Sequence, residues 1–458
     1  MFPSHIFKAY DIRGLVAADL SEHLAYAIGR AFVCVLRENK VVLDNRYIVV
    51  GHDMRPTSPQ FEAAVIDGIK AEGAHAVLVG EVSTPLFNFS VAHYHAHAGG
   101  IMITASHNPA EYNGFKMAFE NGLPLGKNTG MDRLRAHAET FYNQARVPQK
   151  NSRSRETINV LPAYEERIFN LVPPASLKPL KVVIDAGNGM AAATFPAVVK
   201  KLPITAEYLF LQPDGTFPNH EANPLKVETL AALQAKVRET GADLGFALDG
   251  DCDRIGLVDE KGEVVDASFV GALVGLEVLR GNGNRGHMLY DLRSSMIVPE
   301  VWQAHGATVS MCPVGHALIK KILKDEGGIF ASELSLHQYF HSMYDVESSD
   351  LSLLYILQAL SREQKPLSAL VQPLKKYAHS GEINFEIHDK QAVIKKIEEY
   401  YTSTALEISH LDGLYVKCAW GWFNVRTSNT EPVVRLNLET FDKHILKEKI
   451  TEITSFLK

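Results

Sequence analysis

The sequence predicts an α/β protein made of several domains of similar build, followed by a smaller α+β domain. An apolar, β-branched run that ends in aspartate and a turn, followed by a helix-like pattern, occurs at residues 47–53, 182–185 and 288–291. Such runs are typical of buried strands in a mostly parallel sheet, and their alternation with helices indicates βαβ units. The last ~90 residues instead carry alternating strand patterns and end in an amphipathic helix from about Asp442.

Breaks in these patterns mark candidate domain boundaries. The 458 residues allow roughly three domains by length alone. Residues 147–154 are polar and without periodicity, which indicates a linker or surface loop. Lys261-Gly262 marks a turn after an apolar run, and Lys365-Pro366 follows the helix-like residues 351–357.

Composition is that of an ordinary folded protein and argues against nucleic acid as a partner. The chain is 46% hydrophobic and 22% charged, with a formal net charge of -7, whereas phosphate backbones recruit basic faces. Its four cysteines form no C-x-x-C pair, so neither a zinc site nor a disulfide framework is expected. The N-terminus lacks a signal-peptide pattern, and the apolar run at residues 271–279 is too short to span a bilayer. We therefore expect a cytoplasmic protein with no membrane partner.

Residues 104–109 (TASHNP) place Ser106 at the end of the apolar strand pattern of residues 100–103. A hydroxyl on such an exposed turn can be presented to a ligand. Lys116, on the following Asn-Gly turn, can return to the same pocket as a cation or proton carrier. Ordinary turn chemistry is the alternative, because serine and asparagine are common turn residues.

Residues 249–254 (DGDCDR) hold three aspartates at alternating positions. In an extended loop Asp249, Asp251 and Asp253 would point to one side, and three such carboxylates repel one another unless a cation joins them. Oxygen ligands favour magnesium or calcium. The sequence argues against an EF-hand calcium loop, because the sixth position of that loop requires glycine and is Arg254 here. A magnesium loop is the better interpretation, and a solvated acidic turn is the alternative.

Two further motifs suit a phosphorylated sugar. Residues 426–432 (RTSNTEP), with Arg435 just beyond, combine arginine with hydroxyl and amide groups that can cradle a phosphate. A polar turn with a surface arginine fits them equally well. In residues 333–337 (ELSLH), preceded by Gly315-His316, a carboxylate and a hydroxyl two residues apart can bracket neighbouring sugar hydroxyls.

The histidines at positions 93, 95 and 97 have the look of a metal site. They follow Thr84-Pro85 in a helix-like region, where residues two apart diverge around the axis. We therefore interpret them as a solvated face.

The four motifs, in this order and at these separations, resemble the α-D-phosphohexomutase superfamily, most closely its bacterial phosphomannomutase/phosphoglucomutase branch. The resemblance begins at residues 8–14 (KAYDIRG) and covers essentially the whole chain. It implies a four-domain α/β architecture around a central cleft, with three similar mixed α/β domains and a smaller C-terminal α+β domain. The limits that we predict are 1–152 with the phosphoserine loop, 153–258 with the metal loop, 259–370 with the sugar-binding loop and 371–458 with the phosphate-binding loop.

By matching positions, the resemblance implies a role for each motif residue. Ser106 would be the phosphoserine and would bind one magnesium ion together with Asp249, Asp251 and Asp253. The groups that would line the transfer site are Arg13, Lys116, Arg254, His316 and His337. The groups that would bind substrate are Tyr10, Arg293, Glu333, Ser335, Arg426, Ser428, Asn429, Thr430 and Arg435.

The implied activity is reversible phosphoryl transfer between the 1- and 6-positions of mannose and glucose phosphates. It would pass through a hexose 1,6-bisphosphate, which would also be the activator, and the protein would be a monomer or a weak oligomer. Leu334 favours mannose and glucose phosphates as the substrates, because it resembles the methionine of mannose/glucose enzymes more than the glutamine of glucosamine mutases. A glucosamine mutase on the same scaffold, a phosphatase and a non-catalytic sugar-phosphate sensor are the alternatives.

The chain departs from the family pattern in the sugar-binding loop. Ser332 and Leu336 replace the two glycines of the usual G-E-x-S-G-H, and Arg293 stands where lysine is common. Residues 348–350 (SSD) stand where an acidic pair and glycine are usual. Leu336 is the most serious change, because a bulky side chain can distort a loop that glycine permits.

Overall fold

The predicted strand–aspartate units are present in the computed structural model, which describes residues 1–144, 156–387, 389–427 and 433–457. The chain forms two compact units, called here the first unit (Met1–Val265 with Ser335–Leu367) and the second unit (Asp266–Leu334 with Ser368–Lys458). Among the described residues, no helix is both long enough and apolar enough to cross a membrane.

The first unit begins with a six-stranded sheet. Its elements are β1 (Ile12–Leu15), α1 (Glu22–Glu38), β2 (Tyr47–His52), α2 (Ser58–Ala71), β3 (His75–Glu81), α3 (Thr84–His93), β4 (His97–Ile103), β5 (Tyr112–Phe119), α4 (Met131–Tyr142) and β6 (Glu156–Thr157). The strand order is β1-β5-β4-β2-β3-β6, and β2 pairs in parallel with β3 and β4. Buried side chains of α1 and α2, such as Phe32 and Val65, pack with those of β2, such as Ile48, in one core.

A five-stranded sheet follows in the same unit. Its elements are α5 (Leu161–Leu171), β7 (Leu180–Asp185), α6 (Phe195–Val199), β8 (Ile204–Leu209), α7 (Ala231–Thr240), β9 (Leu244–Leu248), β10 (Ile255–Asp259) and β11 (Val264–Val265). The order is β11-β10-β9-β7-β8, with β7 parallel to β8 and β9.

The chain then enters the second unit and builds a third α/β layer. The elements are α8 (Ala267–Gly281), β12 (Gly286–Asp291), α9 (Ile297–Ala304), β13 (Ala307–Cys312), α10 (His316–Asp325) and β14 (Phe330–Ser332). Strand β12 pairs in parallel with β13 on one side and with β14 on the other.

The rest of the chain returns briefly to the first unit and ends in the second. The first-unit elements are β15 (Gln338–Phe340), β16 (Val346–Glu347) and α11 (Ser349–Glu363), followed by α12 (Leu367–Val371) at the boundary. The tail holds β17 (Ala378–His379), β18 (Ile383–Glu386), α13 (Lys390–Tyr401), β19 (Glu407–Ser409), β20 (Leu414–Cys418), β21 (Gly421–Thr427), β22 (Val433–Thr440) and α14 (Lys443–Thr454). Its strands form an antiparallel sheet of order β17-β22-β21-β20-β19, in which β18 also pairs with β22. The predicted C-terminal helix is confirmed, and Asp442 caps it.

The carboxyl ends of the parallel strands position most of the motif residues. Strands β2 and β4 end just before residues 53–55 and 104–106, so these two turns share one edge of the first sheet. In the second unit, Arg293 follows β12 and Glu333 follows β14 at the equivalent edge. One local prediction is wrong, because Asn113-Gly114 lies inside β5 and forms no turn.

Candidate active site

Ser106 is buried at the end of β4 in a left-handed backbone conformation, with φ of 52°. Its amide N–H donates to the Thr104 hydroxyl at 2.9 Å. Its own Oγ donates to Oδ2 of Asp249 at 3.0 Å and lies 3.1 Å from Nδ1 of His107. A non-glycine residue in this region costs about 1–3 kcal/mol and marks functional sites often. The structure therefore aims the Ser106 hydroxyl at the acidic loop.

Arg55 holds the Ser106 loop from behind. Its buried guanidinium donates to the backbone carbonyls of Ser106 (3.0 Å), Asn108 (2.5 Å), Pro109 (2.8 Å) and Tyr112 (2.8 Å). The Asp53 carboxylate lies 3.3 Å from Arg55 Nε, and the Phe217 ring centroid lies 5.2 Å from the guanidinium carbon. None of the sequence motifs described above indicates this role. The available signal was an arginine two residues after a strand-terminal aspartate.

Asp249, Asp251 and Asp253 converge as predicted, but for a different reason. The loop is a turn and not an extended segment, because Cys252 adopts a left-handed conformation with φ of 65°. Asp249 Oδ1 closes the turn by accepting from the backbone N–H groups of Asp253 (3.0 Å) and Arg254 (3.1 Å). All three carboxylates are buried, and one oxygen from each lies within 4.8 Å of the others.

The electrostatics of this loop fit a bound cation. Burial, together with the Asp253 and Asp251 carboxylates, raises the pKa of Asp249 to about 8. Oδ1 of Asp251 is buried without a hydrogen-bond partner, which is costly for a charged oxygen. Three hard oxygen ligands in one pocket are the donor set that Mg²⁺ or Ca²⁺ takes. The residues present therefore fit a divalent metal.

Lys116 lies on β5, opposite Met102 of β4. Its Nζ lies 2.7 Å from Oδ2 of Asp251 and 2.7 Å from Oδ2 of Asp253. Burial opposes its charge, but these two carboxylates raise the pKa of Lys116 above the usual range. The predicted return of Lys116 to this pocket is thus achieved by a strand and not by a turn.

His337 and Arg254 lie on the other side of the acidic loop. Nε2 of His337 is 3.2 Å from Oδ1 of Asp253, and its Nδ1 is 2.7 Å from the Ser335 hydroxyl. Nε of Arg254 lies 3.4 Å from His337 Nε2 and 3.7 Å from Oδ2 of Asp249. The first unit therefore links Ser335 to the acidic loop through one imidazole.

Leu336, between Ser335 and His337, adopts the left-handed conformation that the glycine of the family pattern would allow, with φ of 71°. Its side chain is buried, and its carbonyl accepts from the amide of Ile255 at 3.4 Å. The backbone of this loop is therefore the one that glycine permits, although the residue is leucine.

Arg13 and Tyr10 lie at the N-terminal edge of the first sheet. Arg13, on β1, places Nε 2.7 Å from the Asp11 carboxylate and Nη1 3.2 Å from the Ala105 carbonyl, and Nη1 also contacts Asn108. Tyr10 is half-buried just before the strand. Arg13 therefore adds a second cation beside the Ser106 loop.

In the second unit, Arg293 is buried between two carboxylates. Its Nη2 lies 2.7 Å from Oδ2 of Asp291 and 3.3 Å from Oε1 of Glu333. The Leu334 amide donates to Asp291 Oδ2 at 2.8 Å. Burial opposes the charge of Arg293, but Asp291 and Glu333 raise its pKa. His316, the first residue of α10, is half-buried after β13.

Arg426 and Arg435 face each other on β21 and β22, and Glu382 joins them. Its two carboxylate oxygens lie 3.0 Å from Arg426 Nη2 and 3.2 Å from Arg435 Nη1. Burial favours the neutral acid, but Arg293, Arg426 and Arg435 lower the pKa of Glu382. Glu382 belongs to none of the sequence motifs described above. Ser428, Asn429 and Thr430 lie outside the described residues.

The interpretation of the histidine run as a solvated face is wrong. Helix α3 ends at His93, which stacks on Phe89 at 4.6 Å between ring centroids. His97 is buried on β4, and its Nδ1 lies 2.7 Å from the Ser90 carbonyl. Only His95 of the three is exposed, because the chain leaves the helix and enters a strand within this run.

Four family models match the chain. They are the phosphoglucomutase/phosphomannomutase α/β/α domain I at residues 4–144, domain II at 162–262, domain III at 266–377 and the C-terminal domain at 382–454.

Similar proteins share the full length of the chain. A phosphomannomutase of Methanocaldococcus jannaschii is 36% identical over 99% of this chain and 97% of its own. A protein of Xanthomonas campestris described as phosphohexose mutases is 35% identical over 99% of both chains. The crystal structure of a phosphoglucomutase/phosphomannomutase family protein from Burkholderia thailandensis matches with a TM-score of 0.89 and 31% identity, covering 100% of this chain and 98% of the other.

Proposed function

This chain belongs to the phosphoglucomutase/phosphomannomutase family and is a phosphohexose mutase, and we propose that it carries the transferred phosphoryl group on Ser106. The observation that carries the proposal is the position of the Ser106 hydroxyl, 3.0 Å from Asp249 and on the edge of three clustered carboxylates. A phosphoserine at this position would share its cation with the acidic loop.

In the proposed reaction, the hydroxyl of a hexose monophosphate attacks the phosphorus of phosphorylated Ser106. The new O–P bond forms as the Oγ–P bond breaks, while the attacking hydroxyl loses its proton to a base and Ser106 Oγ takes up a proton from an acid. The resulting hexose 1,6-bisphosphate turns end for end and returns its other phosphoryl group to Ser106 Oγ. The net result is exchange of phosphate between the 1- and 6-positions, and added bisphosphate would recharge dephosphorylated enzyme.

One Mg²⁺ per chain would be held by Asp249, Asp251, Asp253 and the phosphoserine. When bound, this ion supplies positive charge to the phosphoryl oxygens. The chain adds its own charge through Arg254, which lies 3.7 Å from Asp249. Phosphoryl transfer depends mostly on such positioning and charge, so these groups would carry most of the catalysis.

Proton movement falls to His337 and Lys116 in this proposal. His337 is oriented at both ring nitrogens, by Ser335 and by Asp253. Such orientation suits a general acid or base, because the position of the ring is then fixed by its neighbours. Lys116, held between Asp251 and Asp253, is charged and suits donation better than abstraction. Arg13 and His316 complete the proposed transfer groups.

Several residues would contact the substrate in this proposal. Arg426 and Arg435 would hold the phosphate that is not transferred, with the backbone and side chains of residues 428–430, and Arg293 and Tyr10 would contribute further contacts. Glu333 and Ser335 would bind O3 and O4, which glucose and mannose share. Because no strong contact would then be made to the hydroxyl on C2, the site would discriminate between glucose and mannose by only about 1–3 kcal/mol.

The test compares kcat/KM for mannose 1-phosphate, glucose 1-phosphate and glucosamine 1-phosphate under one set of conditions. We expect similar values for the first two and a much lower value for the third, because Leu334 offers no partner for an ammonium. A clear preference for glucosamine 1-phosphate would contradict the substrate assignment. Stoichiometric release of inorganic phosphate without isomerisation would contradict the mutase reaction itself.

A further inference from the structure

Glu382 is the carboxylate that three arginines of the second unit share. Besides its contacts with Arg426 and Arg435 at 3.0 and 3.2 Å, it lies 3.6 Å from Nη1 of Arg293. Two carboxylate oxygens on two guanidinium groups reproduce the way in which phosphate oxygens are bound by arginine. Glu382 therefore stands where an anionic ligand of these arginines would bind.

With Glu382 in contact, the positive charges of Arg293, Arg426 and Arg435 are balanced by neighbouring carboxylates. Arg293 already contacts Asp291 and Glu333. Burial lowers the pKa of Arg426, and the Asp412 carboxylate opposes this by favouring its charged form. Three guanidinium groups thus face four carboxylates among the described residues. A phosphate dianion would meet repulsion here until one carboxylate leaves.

Of the three carboxylates in direct contact with these arginines, Glu382 is the most exposed. Asp291 and Glu333 are buried, whereas the Glu382 side chain keeps 25% of its exposure. It directly follows Gly381, whose φ is 68° and beside which a Cβ would meet no atom within 4 Å. Nε of Arg426 is buried without a hydrogen-bond partner. A donor in this cluster is therefore left unused by the present arrangement.

We propose that Glu382 is an internal occupant of the phosphate subsite, which the phosphate of a sugar phosphate displaces. The inference rests on the proposed function, since it takes Arg426 and Arg435 as the groups that hold the non-transferred phosphate. Competition from Glu382 lowers the affinity of these arginines for phosphate. A lower affinity suits this reaction, because the bisphosphate intermediate must dissociate from the arginines, turn and bind again through its other phosphate.

The direct test measures inorganic phosphate binding to the full-length protein by calorimetry at fixed ionic strength. We expect E382Q to bind phosphate about tenfold or more tightly than the unmodified chain, because the neutral amide no longer competes. The matched control is E399Q, which removes an exposed carboxylate from α13 and should leave the affinity unchanged. Equal or weaker binding by E382Q with an unchanged melting temperature would overturn the proposal, because it would make Glu382 a support for the arginines.

Turnover gives a second readout. In E382Q we expect KM for the hexose 1-phosphate and kcat to fall together, since the intermediate would be held too tightly. A support role predicts the opposite change in KM. If R426A binds phosphate as well as the unmodified chain does, the proposed function of the cluster fails, whatever E382Q shows.

The unmodified protein provides a test that does not depend on a variant folding. A crystal soaked in inorganic phosphate should show phosphate on Arg426 and Arg435, with the Glu382 carboxylate turned away. Phosphate bound beside an unmoved Glu382 would overturn the proposal.

Discussion

The guanidinium of Arg55 donates a hydrogen bond of 3.0 Å to the backbone carbonyl of Ser106. The same guanidinium holds three more carbonyls of the loop, so the left-handed backbone of Ser106 is fixed by one buried side chain. Arg55 contacts the loop behind the hydroxyl and is therefore a positioning residue.

We predict that R55K lowers kcat by about 100-fold with little change in KM, because a lysine cannot serve four acceptors and misplacement by about 1 Å costs that much. The more specific readout is the rate at which glucose 1,6-bisphosphate phosphorylates Ser106, which should fall in parallel. The matched control is R46K, since Arg46 also donates to two backbone carbonyls, those of His95 and His97. Equal rates of Ser106 phosphorylation in R55K and R46K would contradict the positioning role.

The acidic loop predicts opposite effects on stability and on metal binding. D249N keeps the Oδ1 acceptor for the amides of residues 253 and 254. It removes the carboxyl group, whose pKa is raised to about 8 because its charged form is unfavourable in this loop. We therefore expect D249N in excess chelator to melt no lower than the unmodified chain above pH 8. Addition of Mg²⁺ should raise the melting temperature of the unmodified chain only, and calorimetry should detect binding only there. A Mg²⁺-dependent shift in both proteins would place the metal elsewhere.

The Leu336 backbone predicts an unusual order of stability among variants. L336A and L336G both lose the buried side chain, but only glycine relieves the positive φ of 71°. We expect L336G to be more stable than L336A by about 1 kcal/mol, the reverse of the usual order. Urea unfolding of the two variants measures this difference. A more stable L336A would mean that the loop does not keep this conformation in solution.

Asp350 predicts a pH-dependent loss of stability in the first unit. Burial raises its pKa to about 6, above the value near 3.9 of an unfolded chain, although Thr194 and Tyr164 donate to it. A raised carboxyl pKa destabilises the charged form, so stability falls as pH rises from about 4 through 6, by up to about 3 kcal/mol. D350N keeps an acceptor oxygen, so its gain in melting temperature relative to the unmodified chain should grow between pH 4 and pH 6 and stay level above that. A constant difference from pH 4 to pH 6 would contradict the shift.

Local patterns in the sequence predict individual strands and helices. They do not predict contacts between distant segments of the chain. The runs that end in Asp185 and Asp291 are buried strands, because continuous apolar residues need a two-sided core. The turn predicted at Asn113-Gly114 is wrong, because the pairing of β5 with β1 and β4 overrides the turn preference of these two residues. The three aspartates converge through the backbone of Cys252, a conformation that no residue pattern indicated.

The missed site residues share one cause. Arg55 and Glu382 act through partners at least 44 residues away in the chain, and no local spacing records such contacts. The sequence predicts that Lys116 returns to the pocket of Ser106 from a turn, and in the structure it reaches the acidic loop from strand β5. Its flanking Asn-Gly pair indicates a turn, so the element is wrong. The limits of the four predicted domains and the role of each site residue remain predictions.

The most direct test of the account is a single-turnover measurement of phosphate on Ser106. Purified protein, charged with glucose 1,6-bisphosphate and Mg²⁺, is mixed with mannose 1-phosphate, quenched at intervals and mapped by peptide mass spectrometry. We predict that phosphate leaves Ser106 as mannose 1,6-bisphosphate forms, and that S106A neither takes up phosphate nor isomerises the sugar. Phosphate found only on another residue, or full isomerisation by S106A with bisphosphate supplied, would contradict the central claim.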